Sequence, residues 1–294
     1  MIAALLWKVT PPRQPSYAGR TLSEWLDDYY MDCNGGGRSL DFTNSPAYFA
    51  LRTIGTNALP PLLHWIANEP ANPNTPLMSV ADHLPRAIAD SRFGDYLRNP
   101  DSHPFRIEIA FTVLGPDASP AVPELTRIFL DPQSNDYASD EAAFALSEIG
   151  LAGLPPLLAG ITDPHRRTRL QAICHLGFMG TNVSVAVPAI IQHLADPDPE
   201  ISQQAASALD CLGYRNAISP EYIPRLRPLL QSPDPWIRLR IAGVLAGFAT
   251  ERPAAIRVLK ESLLNTNKEI AGEARMGLNG AEIDIPVDTG SPAP

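Results

Sequence analysis

The chain has 294 residues, of which 45% are hydrophobic and 19% charged, the balance of a folded domain and not of a disordered chain. Its formal net charge of −9 excludes the basic footprint expected of a non-specific nucleic-acid binder. Three cysteines, Cys33, Cys174 and Cys211, show neither CxxC pairing nor metal-ligand spacing, so no disulfide framework or zinc site is expected. Cys174 and Cys211 fall inside apolar stretches, where free cysteine packs as a small hydrophobe. The charge is uneven: residues 1–150 hold 10 Lys/Arg and 18 Asp/Glu, whereas residues 151–294 hold 13 and 14.

Met1 to Trp7 is apolar, but seven residues of helix reach only about 10 Å against a hydrocarbon core of about 30 Å. It also lacks a basic flank and a small-residue cleavage site. Residues 1–16 therefore read as an unstructured lead or as the remnant of a longer anchor, with Pro11, Pro12 and Pro15 suited to a linker. Residues 17–44 follow as a cap. Thr21 and Glu24 have capping-box spacing, and Leu22, Trp25, Leu26 and Tyr29 lie on one helical face before Asn34-Gly-Gly-Gly37 breaks it.

From residue 45 to 280 a unit of about 33 residues recurs, each copy with two apolar stretches joined by a loop containing glycine. The best-matched copies pair Gly115 with Pro123, Gly150 with Pro155, Gly180 with Pro188 and Gly213 with Pro224. The linkers Asp163-Pro164, Asp196-Pro197-Asp198-Pro199 and Asp234-Pro235 supply an aspartate N-cap and a proline whose missing N–H is not needed in the first turn. The glycine is expected to end the first helix and the later proline to open the second. The register is interrupted at residues 69–102 by an insertion or degenerate repeat, and residues 281–294 read as a mobile tail. One such unit cannot bury its own apolar face and must stack on its neighbours, so the expected fold is all-α: a single right-handed superhelical α-solenoid.

These residues resemble the HEAT-repeat family, whose first helix often reads Asp-x-x-Val-Arg-x-x-Ala-Ala-x-Ala-Leu-Gly. Arg169 and Arg238 keep that arginine, while Ser202 and Ala271 depart from it, so the resemblance implies an incomplete ladder of arginines on linker aspartates. The opening Tyr17-Ala-Gly-Arg-Thr-Leu-Ser-Glu-Trp-Leu26 is similar to the start of a group of bacterial HEAT-repeat proteins that often carry an N-terminal membrane anchor. Localisation is then cytoplasmic by default, or membrane-anchored if the N-terminus is truncated.

No catalytic signature is present. The six histidines form no His-Glu pair of the kind that HEAT-like di-iron hydroxylases use, and there is no Walker A loop, Gly-x-Ser-x-Gly or Gly-x-Gly-x-x-Gly. HEAT-like DNA glycosylases need a basic surface that this acidic chain lacks. HEAT-like bilin lyases and their chaperones carry no recognisable motif, and an accessory factor of that type stays as the alternative reading.

The main expectation is a non-catalytic scaffold, without metal or cofactor, that binds a partner protein on the concave face lined by the second helices. Aligning those helices on their proline slot brings out Arg127, Gln192, Arg225, Arg227, Arg257 and Lys260 as candidate partner-binding residues. The last turns are basic, which suits an acidic peptide or helix. Trp236, at the start of a first helix, reads as packing between repeats.

Overall fold

The N-terminal cap is built around a tight turn. β1 (Ser16–Tyr17) and β2 (Arg20–Thr21) pair antiparallel, with Ser16 opposite Thr21 and Tyr17 opposite Arg20. Ala18 and Gly19 turn the chain at φ +49° and +78°, the left-handed pair that matches strand twist in a two-residue hairpin. This ribbon is a small departure from an all-α expectation. It leads into α1 (Leu22–Asn34), where Leu22 and Leu26 are fully buried.

Glu24 accepts from the Thr21 N–H at 2.8 Å and from its hydroxyl at 2.9 Å, so one half of the expected capping box forms. The Trp25 indole N–H donates to the Tyr17 carbonyl at 3.1 Å, and the Arg20 guanidinium stacks 4.3 Å from the Trp25 ring while pairing with Asp28. The Tyr-x-Gly-Arg-x-Leu-x-x-Trp-Leu segment is thus a self-contained cap. Each of its marked residues has a structural task.

The structure, a computed structural model, describes residues 12–34, 42–68 and 103–283. The interruption expected at 69–102, the lead up to residue 11 and most of the Gly-rich loop lie outside the described residues. Packing divides the chain into two compact units, residues 1–168 and 169–294. Each is a stack of helical pairs.

In the first unit, α2 (Pro46–Ile54) pairs with α3 (Leu59–Ala67), α4 (His103–Leu114) with α5 (Val122–Leu130), and α6 (Asp136–Ile149) with α7 (Leu154–Gly160). Ser45 and Asn135 cap α2 and α6 by accepting from the N–H groups of Tyr48 and Ala138 at 3.0 and 2.8 Å. Gly55, Gly115 and Gly150 end the first helices at φ +54°, +52° and +78°, as expected of a residue that must enter the left-handed region. Pro123 and Pro155 sit in the first turns of α5 and α7. Leu62, Phe111, Leu125, Phe129, Leu146 and Leu157 fill the core with no exposure.

Long cations stitch this unit together. Arg106 makes a two-pronged pair with Asp27 of the cap at 2.8 and 2.9 Å. Arg52 donates to the last carbonyls of α4, Val113 and Leu114, at 3.1 and 3.2 Å. Arg167 reaches the carbonyls of Ser134 and Asp131 and the carboxylate of Asp136.

The boundary between units falls inside α8 (Arg166–Phe178), between Thr168 and Arg169. The second unit continues with α9 (Val187–His193), α10 (Pro199–Tyr214), α11 (Ile223–Leu226), α12 (Pro235–Ala246), α13 (Arg252–Ser262) and α14 (Lys268–Ile283). Asp198 and Asp234 cap α10 and α12. Gln203 donates to Asp234 at 2.8 Å, so glutamine, one position after Ser202, supplies the rung that the resemblance left vacant. α14 runs through Ile283, three residues into the segment expected to be a tail; residues 284–294 lie outside the described residues.

Glycine changes its task here. Gly213 does not end its helix: α10 continues to Tyr214, and Asn216 at φ +57° makes the left-handed turn, with Ala217 N–H donating to the Leu212 carbonyl at 2.8 Å. A Cβ on Gly213 would lie 3.2 Å from the Val244 Cα, and one on Gly177 only 2.8 Å from the Ala208 Cα. These glycines let neighbouring first helices approach backbone to backbone.

Candidate partner-binding face

The second helices of the second unit carry the candidate cations, and their burial pattern sets which side is free. In α13, Ala255, Val258 and Leu259 are buried, so Pro253, Arg257, Lys260 and Glu261 form the exposed row on the opposite side. Leu264 continues that row seven residues after Arg257 and is 87% exposed. Sequence reasoning missed it, although its spacing of seven from Arg257 was the available signal. In α9, burial of Val187, Ile190 and Ile191 leaves Gln192 exposed.

α11 lasts four residues before the chain tightens into a 3₁₀ helix over Arg227–Gln231. Leu226 and Leu230 face inward, and Pro224, Arg225, Arg227 and Pro228 are exposed. Arg227 makes a two-pronged pair with Glu251 at 2.8 and 2.5 Å, and Glu251 is only 4% exposed at the N-cap of α13. The guanidinium holds the Glu251 carboxyl below its ordinary range, and the carboxylate raises Arg227 in return. Arg227 therefore joins two successive second helices. Its charge is already spoken for.

Arg127, in the first unit, is likewise engaged, with Glu124 one turn away at 2.6 and 3.1 Å. Arg225, Arg257 and Lys260 differ. Among the described residues none of the three has an ion pair or side-chain hydrogen bond, although Glu261 lies one turn from Arg257. The sequence-predicted set thus separates into two cations spent inside the fold and three that face solvent, with Gln192 exposed beside them in the chain order of second helices.

The first helices hold a different charged cluster. Arg240 of α12 reaches Asp210 of α10 at 3.2 Å and Glu273 of α14 at 3.0 Å, and its guanidinium lies 5.7 Å from the Trp236 ring. Trp236 is half-buried, with its backbone N–H donating to Asp234 at 2.8 Å, in keeping with a packing role. Burial outweighs the pull of Arg240 and pushes the Asp210 carboxyl up to about 6. Gly243 makes the room, since a Cβ there would lie 2.2 Å from an Asp210 oxygen. Burial also raises the neighbouring Cys211 thiol, so this half-buried cysteine is not an activated nucleophile.

A raised folded-state carboxyl pKa makes the folded chain hold a proton that the unfolded chain has released, so stability falls as pH rises from about 4 to about 6. Asp210→Asn removes that dependence. Urea titrations of both proteins should show the variant gaining on the parent by on the order of 2–3 kcal/mol across this window. A difference that is flat or of opposite sign would show that Arg240 outweighs burial.

Among the described residues no group of histidine, cysteine and acidic side chains could hold a metal ion, and no helix is long and apolar enough to cross a membrane. His64 and His175 are buried within the helical stacks. Two successive matches to the HEAT-repeat family model cover residues 122–210 and 187–279, together more than half of the chain. The chain belongs to the HEAT-repeat family. No curated protein matches this HEAT-repeat chain by sequence.

Similar solved structures include the complex of CpcE and CpcF of phycocyanin lyase from Nostoc sp. PCC7120. It is 22% identical, with 54% of this chain and 98% of that chain covered, at a TM-score of 0.43. An engineered protein is 18% identical, with 71% and 97% covered, at a TM-score of 0.40.

Proposed function

We propose that this HEAT-repeat protein is a non-catalytic interaction scaffold whose second unit binds an acidic peptide or helix along its second helices. The observation that carries the reading is the unpaired state of Arg225, Arg257 and Lys260 on exposed helix faces, in a chain whose other described arginines so often have carboxylate or carbonyl partners. Cations left in solvent keep their hydration, and a carboxylate arriving from a partner gains charge-assisted hydrogen bonds with little rearrangement of the protein. Gln192 adds an exposed polar side chain on the preceding second helix, and Leu264 adds an exposed apolar one after α13. Arg227 contributes indirectly by fixing the start of α13 to the end of α11, so that Arg225 and Arg257 stand on two linked helices.

The test is fluorescence anisotropy with a labelled glutamate-rich peptide at low ionic strength. Replacing Arg257 and Lys260 by glutamate is expected to weaken binding by about tenfold or more, with the parent's affinity falling as salt rises. Equal affinity in the parent and the charge-reversed protein would overturn the proposal.

A further inference from the structure

We infer that the acidic segment binds in an extended conformation, with one of its backbone N–H groups donating to the carbonyl of Pro224. This rests on the binding face proposed above and specifies the form of its partner.

The reason lies in α11. Pro224 belongs in the first turn of a second helix, as Pro123, Pro155 and Pro188 do, but Pro228 stands four residues later inside the same segment. Pro228 has no N–H, so the Pro224 carbonyl lacks the donor that an α-helix would bring to it, and the ring of Pro228 crowds that carbonyl as well. The chain responds by leaving α geometry after Leu226 and tightening into the 3₁₀ stretch. α9 and α13 each have a proline only in the first turn and keep their α geometry to the end.

The freed acceptor falls in the exposed row. Pro224, Arg225, Arg227 and Pro228 are all exposed, so a carbonyl without a helical donor lies next to the unpaired Arg225. A helical partner could answer the carbonyl only from its first turn, because every N–H group beyond that turn is already bonded within it. An extended segment offers a free N–H at alternate positions beside its carboxylates and meets both demands. The two prolines also fix the local backbone before binding, which lowers the ordering cost of the complex.

Three forms of one glutamate-rich peptide distinguish the possibilities: linear, stapled into a helix, and linear with alternate backbone nitrogens methylated. The linear form is expected to bind the parent protein about fivefold or more tightly than either other form, as for the loss of one hydrogen bond. Pro228→Ala restores the internal donor, and in that variant the penalty for N-methylation should disappear while sensitivity to Arg257→Glu remains. Circular dichroism confirms that the variant is folded.

A stapled helix that binds as well as the linear peptide, or N-methylation without effect on the parent, overturns the extended mode but leaves the charged face standing. Binding of the linear peptide that is insensitive to Arg257→Glu and Lys260→Glu removes both.

Discussion

Phe129→Ala is expected to lower the unfolding free energy by about 3–5 kcal/mol, the range for truncating a fully buried aromatic side chain. Phe129 is completely buried on α5, and its carbonyl accepts from the buried Ser139 hydroxyl of α6 at 3.2 Å, so its position is fixed from both sides. A ring held by its own backbone anchor leaves a cavity that neighbours cannot readily collapse into. Equilibrium urea unfolding, followed by far-ultraviolet circular dichroism, measures the change. A loss below about 1 kcal/mol would mean that the core of the first unit repacks freely.

Gly153→Ala should be comparably damaging for the opposite reason. A Cβ at Gly153 would lie 1.9 Å from the Leu146 carbonyl oxygen and 2.9 Å from the Leu146 Cα, all of it backbone that cannot rotate away. The turn between α6 and α7 must shift as a whole, at about 3 kcal/mol or more. Gly272→Ala on α14 is the companion experiment. No atom lies within 4 Å of its added methyl, so the helix should gain about 0.5–1 kcal/mol. Thermal unfolding of both variants should move in opposite directions. Destabilisation of similar size in both would show that backbone crowding at Gly153 is not the cause.

Helices were the most legible part of the sequence, because aspartate before proline and proline in a first turn act through local chemistry. Asp198 and Asp234 cap where expected, and Pro123, Pro155 and Pro188 open the expected second helices, whereas α8 starts only at Arg166 and the expected cap Asp163 accepts instead from the His165 N–H at 2.8 Å. Local chemistry does not report long-range partners. Arg227 looks as free as Arg225 in sequence, and only packing brings Glu251, 24 residues away, against it. Gln203 replaces a ladder arginine for the same reason, since its partner Asp234 lies 31 residues on. The end of α10 was missed because a glycine in the repeat slot reads as a terminator, whereas tight contact with Val244 gives Gly213 a different task and leaves the turn to Asn216.

That divided use of glycine has a consequence for evolution along the array. Gly55, Gly115 and Gly150 are held by backbone conformation, since all three sit at positive φ while the missing Cβ would meet open space or a contact no nearer than 4.0 Å. Gly177 is held by the Ala208 backbone, 2.8 Å from the missing Cβ, and Gly213 less tightly by Val244 at 3.2 Å, so a larger side chain at either place makes the neighbouring helix move. Drift at the first group would be absorbed within one repeat. Drift at the second requires a compensating change in the next repeat, so pairs such as Gly177 with Ala208 and Gly213 with Val244 should travel together when repeats are duplicated or exchanged, and a repeat transplanted without its neighbour should fit poorly.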